Sequence, residues 1–172
     1  MKLDIGCGPI CKEGFIGVDY KKYNKNVKYV LDLNKGKLPF KENSIDEIYC
    51  AHTLEHVEKP FELAHEFYRI LKKNGKCTIK VPYFRHYQAF HPHHKTFWGL
   101  GTENIFNNKY DEFDFKWASV SVSWNWVKAG EDKVLFVLNP LWNFFIRRFR
   151  GIYERKISIF FPVYELVFEL TK

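Results

Sequence analysis

Three sets of residues have types and spacings suited to chemistry. The first is the turn Gly6-Cys7-Gly8-Pro9, placed directly after a strand-like Lys2 to Ile5. Glycines at such a turn let the backbone approach a ligand closely, and an acid closing the next strand, here Asp19, can accept hydrogen bonds from a diol. The second set is histidine: His52 and His56, then His86, His91, His93 and His94 within one nine-residue run. Imidazole titrates near neutrality, so these side chains suit proton transfer or contact with a polar ligand. The third is an aromatic block from Tyr83 to Trp142, followed by Arg147, Arg148 and Arg150.

Each set has a competing reading. A dinucleotide fingerprint needs a third glycine, where Ile10 stands, and only twelve residues separate Gly6 from Asp19, too few for a crossover helix. Asp19 by itself also reads as a solvated strand end, and Glu55 and His56 read equally as a turn cap. The histidine run is not read as a metal site, because no Cys, Asp or Glu accompanies it at ligand spacing and adjacent His93 and His94 cannot easily both face one ion. Most of the aromatics read as core. The arginines beside Trp142, Phe144, Phe145 and Ile146 read either as a solvated helix face or as an amphipathic element for an anionic membrane or a phosphate-bearing ligand.

The elements that must position these residues follow from local pattern. Strands are expected at Lys2–Ile5, Phe15–Asp19, Val27–Leu33, Ile45–Ala51 and Lys76–Val81. Pro60 opens a helix with apolar Phe61, Ala64, Phe67, Tyr68 and Leu71, and Asn74-Gly75 supplies its left-handed exit. Strand, helix and strand in this order make a βαβ unit, hence an α/β fold with a parallel sheet. The second half is less regular: a short helix over Thr102–Asn107, strands over Phe113–Trp126, Lys133–Leu138 and Val163–Leu170, and a helix over Pro140–Arg150.

The chain has 172 residues, 46% of them hydrophobic, enough for one globular domain with a real core. The scattered Cys7, Cys11, Cys50 and Cys77 form no CxxC pair or dense ladder, which fits a reduced, cytoplasmic setting. The longest uncharged stretch, Val134 to Ile146, is broken by Asn139-Pro140 and is too short to span a bilayer. A net charge of +7 favours anionic partners, although the lysines form no basic stripe for nucleic acid.

Taken in order, Leu3-Asp4-Ile5-Gly6-Cys7-Gly8-Pro9, Gly17-Val18-Asp19, Asp32-Leu33 with Leu38-Pro39-Phe40, Asn43 to Tyr49, Leu54-Glu55-His56, and Glu66 with Arg69 to Gly75 resemble the class I S-adenosylmethionine-dependent methyltransferases, particularly the small type 11 group. The resemblance covers residues 1 to about 82. It implies a Rossmann-like three-layer sandwich with a mostly parallel seven-stranded sheet of order 3-2-1-4-5-7-6, the strand at Val163–Leu170 antiparallel, here without the usual N-terminal helix and with a loop replacing the helix after the glycine turn.

The resemblance also implies the site and the division of labour. S-adenosylmethionine would be the cofactor, with Asp4, Gly6 and Gly8 facing its methionine part, Asp19 its ribose, Asp32 and Leu33 its adenine, and His52 the methionine end; Cys7 and Tyr20 adjoin these positions. Residues 1–82 would form the cofactor half of a single domain, and 83–172 the half that recognises a methyl acceptor, a small molecule, sugar or lipid-like group being favoured. His52, His56, His91 and His94 are the expected catalytic positions. The alternative is a non-catalytic basic and aromatic module for nucleic acid or an anionic membrane, with a vestigial donor site.

Overall fold

Several of the strand segments alternate apolar with polar side chains, so their register decides which face of the sheet is oily. In the computed structural model, which describes residues 1–109, 114–125 and 138–172, seven strands form one sheet. They are β1 (Lys2–Ile5), β2 (Ile16–Asp19), β3 (Val27–Val30), β4 (Ile45–Ala51), β5 (Leu71–Pro82), β6 (Ser119–Asn125) and β7 (Glu165–Thr171). Their order is β3-β2-β1-β4-β5-β7-β6, with β1 to β5 parallel and β7 antiparallel to both β5 and β6. This is the implied topology.

The pairings Leu3↔Ile48, Ile48↔Cys77, Cys77↔Leu170 and Val120↔Leu170 carry one apolar row across the sheet. A second row runs through Ile5, Cys50, Ile79, Phe168 and Val122. Helix α1 (Pro60–Ile70) buries Leu63, Ala64, Phe67 and Ile70 in the same core. Phe61 of α1 meets Trp98 and Phe106, and both of those rings meet Phe168, which places α1 and the short α2 (Glu103–Phe106) over the apolar face.

The opposite face presents Lys2, Glu47, Thr78, Lys80, Ser119, Ser121, Ser123 and Glu169, with Tyr49, Ala51 and Val167 among them. Neither the β1–β2 connection, residues 6–15, nor the β2–β3 connection, residues 20–26, contains a helix. The 6–15 loop instead lies over Asp4 and Tyr49, with the Phe15 ring edge-on to Tyr49 and the Lys12 ammonium 4.0 Å from the Tyr49 ring centroid. A sheet with one polar face does not require a second helical layer to keep apolar surface from water.

Some boundaries differ from those expected. Helix α1 stops at Ile70, because Leu71 is already paired with Ile45 in the sheet. Asn74, at φ 64°, sits in the bulge before pairing resumes at Lys76 rather than forming a helix exit. Strand β3 ends at Val30 because Asp32 caps a short 3-10 turn at Leu33–Lys35. Strand β6 occupies the end of the expected Phe113–Trp126 strand; Phe113 and Trp126 themselves, and residues 133–137 of the strand expected at Lys133–Leu138, lie outside the described residues. Among the described residues no helix is long and apolar enough to cross a membrane.

Helix α3 (Asn139–Arg148) closes the outer edge of β6. The Asn143 side chain accepts from Trp124 N at 2.7 Å and donates to Trp124 O at 2.9 Å, and Arg147 donates to Val122 O at 2.7 Å. An edge strand otherwise leaves such groups open for unwanted pairing. Asn143→Ala is therefore expected to lower stability by about 1–3 kcal/mol through unpaired backbone groups, measured by urea denaturation, whereas Asn143→Gln at the same position restores only part of the loss.

Candidate functional site

Strand β1 ends at Ile5, and the chain then turns through Gly6 and Gly8 at φ +71° and +60°. Gly6 N donates to Val18 O at 2.8 Å, which ties the turn to β2. A Cβ on Gly6 would lie 2.0 Å from Thr53 Oγ1, so only glycine fits against the end of β4. Asp19 Oδ2 accepts from Gly8 N at 2.8 Å, and Asp19 is 4% exposed. The strand end read as solvated is thus buried under the glycine turn, and its acid holds that turn in place.

These elements enclose a cleft of about 810 Å³ at the C-terminal edge of the sheet. Gly6, Gly8, Asp19, Tyr20, Asp32, Leu33 and His52, expected on the donor side, all line it. Asp4 and Cys7 do not: they face an adjoining hollow of about 410 Å³ with Cys11 and Lys12. The reason is register and loop packing. Asp4 lies on the polar face of β1 and accepts from Lys12 N at 2.7 Å, and burial pushes its carboxyl pKa up against the lowering effect of Lys12. The Cys11 thiol lies 3.0 Å from Cys7 Sγ, and burial together with that neighbour keeps the Cys7 thiol protonated.

Tyr23, Asn34, Thr53 and Val57 also line the cleft without having been singled out from sequence, and His93 of the histidine run reaches it as well. Thr53 and Val57 flank the noted His52 and His56, so their place beside the turn was the available signal. Asn34 accepts from Glu58 N at 2.9 Å and locks the Asp32-capped turn to the segment after β4, a contact with no local signature.

His52 sits just past β4 with φ 50°, a left-handed backbone that non-glycine residues adopt only when their surroundings hold them there. Its Nε2 donates to Glu165 Oε2 at 3.0 Å, while Nδ1 lies 3.4 Å from Glu55 Oε1. Glu165 also takes Lys80 Nζ at 3.2 Å and Asn125 Nδ2 at 2.5 Å. Burial opposes charge on His52, but the two carboxylates outweigh it and raise its pKa to about 9. The raised pKa favours the protonated ring at neutral pH, which suits His52 to donating hydrogen bonds.

The other catalytic candidates face a second cleft of about 430 Å³, lined by His52, Glu55, His56, Pro82, Tyr87, Gln88, Phe90, His91, His94 and Tyr164. His52 and His56 line both clefts. His56 Nδ1 donates to His93 O at 3.2 Å and His94 Nδ1 to Ala89 O at 3.1 Å, leaving Nε2 of each ring as the acceptor atom. His91 Nδ1 instead accepts from His93 N at 3.4 Å, so its Nε2 carries the proton in the neutral ring. An acid does accompany the histidines in space: Glu55 joins His56 and His94, with one ligand-type atom of each within 4.8 Å of the others.

Residues 3–79 match the family model for a methyltransferase domain. A SAM-dependent methyltransferase from Archaeoglobus fulgidus superimposes with TM-score 0.65 at 20% identity, over 99% of this chain and 85% of that one. The chain has the class I methyltransferase fold. A possible histamine N-methyltransferase from Thermotoga maritima shares it at 18% identity and TM-score 0.59, over 99% of this chain and 81% of that one. Haemonchus contortus phosphoethanolamine N-methyltransferase 2, in complex with S-adenosyl-L-methionine, shares it at 18% identity and TM-score 0.63, over 99% of this chain but 48% of that one. No curated protein matches by sequence. In this methyltransferase fold the larger cleft lies where β1 and β4 adjoin, beside the glycine turn.

Two measurements check this account. Gly8→Ala meets no atom within 4 Å and is expected to cost about 1–2 kcal/mol from its left-handed backbone alone, whereas Gly6→Ala adds about 1–3 kcal/mol of overpacking against Thr53; urea denaturation separates them. The His52 pKa is raised from its ordinary 6.5 to about 9, so the stability it contributes is fully present below pH 6.5 and disappears as pH rises through 9. The difference in unfolding free energy between wild type and His52→Gln is expected to shrink across that window.

Proposed function

We propose that the chain is an S-adenosylmethionine-dependent methyltransferase acting on a small acceptor, with a sugar or lipid-like group included in that class. The observation that carries the reading is the pair of clefts that meet at His52 and His56, one walled by the glycine turn and Asp19 and the other by histidines and aromatics. The residues present fit the cofactor: the Gly6 and Gly8 backbone runs along the cleft without side chains, Asp19 ends β2 beside it, and the Asp32-Leu33 turn lines the same cleft. When bound, S-adenosylmethionine supplies an electrophilic methyl on a sulfonium.

The chain's own part is mainly positioning. Holding two reactants in line can supply about 7–11 kcal/mol of a barrier, and the two clefts provide separate places for them. Gly6, Gly8, Asp19, Tyr20, Asp32 and Leu33 hold the donor side, and residues after 82 supply most of the acceptor side. Because the protonated ring of His52 is favoured, activation of the acceptor falls to the open Nε2 positions of His56 and His94 rather than to His52 or His91. This assigns residues 1–82 chiefly to the donor and 83–172 to the acceptor, within one domain.

A second reading draws on the surface of α3 and the segment after it. Leu141, Phe144, Ile152, Phe160 and Phe161 are exposed there beside Arg148, Arg155 and Lys156, a composition suited to an anionic membrane. Calorimetric titration with S-adenosylmethionine and S-adenosylhomocysteine decides between the two. Wild type is expected to bind both, and Asp19→Ala to lose binding at least about tenfold together with about 1–3 kcal/mol of stability from the unpaired Gly8 amide. Salt-sensitive binding to anionic vesicles with no donor binding would instead favour the membrane module.

A further inference from the structure

We propose that Glu55, His56 and His94 form a binding site for one divalent first-row transition ion such as Mn²⁺, Co²⁺ or Zn²⁺. Glu55 and His56 come from the 3-10 turn at Leu54–His56, and His94 from the loop after β5. One ligand-type atom of each lies within 4.8 Å of the others. Two imidazoles and a carboxylate are a common donor set for such ions, and three protein ligands leave coordination positions open.

Two further observations point to an ion. Glu55 is 0% exposed and neither of its carboxylate oxygens makes a hydrogen bond; the nearest cation is the His52 ring, 3.4 Å from Oε1. A buried carboxylate with an unpartnered oxygen is costly unless a cation completes its shell. Secondly, both histidines spend Nδ1–H on a backbone carbonyl, His93 O for His56 and Ala89 O for His94. That arrangement fixes the tautomer and orients the remaining lone pair, as the outer hydrogen bonds of metal-ligating histidines do.

The supporting frame is already assembled. Lys95 N donates to Glu55 O at 2.7 Å, and Lys95 Nζ reaches Glu58 Oε1 at 2.7 Å, so the loop bearing His94 is tied to the turn bearing Glu55. The second group with ligand-type atoms, Asp4, Cys7 and Cys11, differs in this respect: Asp4 is engaged by Lys12 N and the Cys11 thiol points at Cys7. Granting the methyl-transfer reading, the ion would occupy the Nε2 lone pairs of His56 and His94, so these rings would act on the acceptor through the ion rather than as bases: held beside both clefts, it would bind an acceptor oxygen and lower the pKa of its hydroxyl, making hydroxyl compounds the acceptor class.

The test uses chelator-treated full-length protein titrated with Mn²⁺ and with Co²⁺ by calorimetry, with visible spectra of the Co²⁺ form. One ion per chain is expected, with weak visible bands and no intense near-ultraviolet thiolate band. His94→Ala and Glu55→Gln are each expected to weaken binding at least about tenfold, and His94→Ala, on a partly exposed loop, keeps the test available should Glu55→Gln not fold. No bound ion, a thiolate band placing the ion at Cys7 and Cys11, or wild-type affinity in His94→Ala would overturn the site. Donor titration of the same samples separates the two ideas, because ion binding without donor binding defeats only the methyltransferase reading, and donor binding without ion binding defeats only the metal site.

Discussion

The charge cluster around His52 is the constraint on which the site depends. Glu165 from β7 and Glu55 from the turn after β4 meet at the His52 ring, while Lys80 from β5 and Asn125 from β6 hold Glu165 from behind. Removing any one carboxylate leaves cations crowded beside the other, so the cluster joins the antiparallel end of the sheet to its parallel half. It also holds His52 in a left-handed backbone, from which its ring forms a wall common to both clefts. The same two carboxylates that stabilise this junction favour the protonated His52 ring at neutral pH.

The rest of the architecture is economical for a physical reason. The apolar rows through Ile48, Cys77 and Leu170 and through Ile79 and Phe168 need cover, which α1, α2 and the aromatics Trp98 and Phe106 provide. The polar rows need none, and a ten-residue loop suffices over Asp4 and Tyr49. That loop is what frees the glycine turn to be short: with no crossover helix to start, Gly8 can bond directly to Asp19 eleven residues later. Many of the aromatics of the second half pack this single core. Those of α3 and the segment after it stay partly outside and form the exposed apolar surface.

Local patterns made much of the fold legible. Alternation, Pro60 at a helix start and the glycine turn placed β1, β2, β4, α1 and the second half of β5, while the ordered resemblance supplied the sheet order and the antiparallel strand. Boundaries failed where a tertiary contact overrode local preference: Leu71 left its helix to pair with Ile45, and Asp32 left its strand to cap a turn. The competing reading of Asp19 as a solvated strand end does not hold, since Gly8 folds over it, and nothing in Val18-Asp19 announces that contact.

The sequence by itself determined the class of fold, the glycine turn and the acid that accompanies it, because these depend on residues within a few positions of one another and on periods of two or 3.6. Only the tertiary structure decided that Asp4 and Cys7 line a hollow beside the main cleft, that Glu165 reaches His52 across 113 residues, and that Glu55 completes a cluster with His56 and His94. Those outcomes turn on strand register and on how loops from different strands meet at one edge of the sheet. A shift of one residue would reverse the face on which each side chain appears, and that register is set by the packing of the whole core.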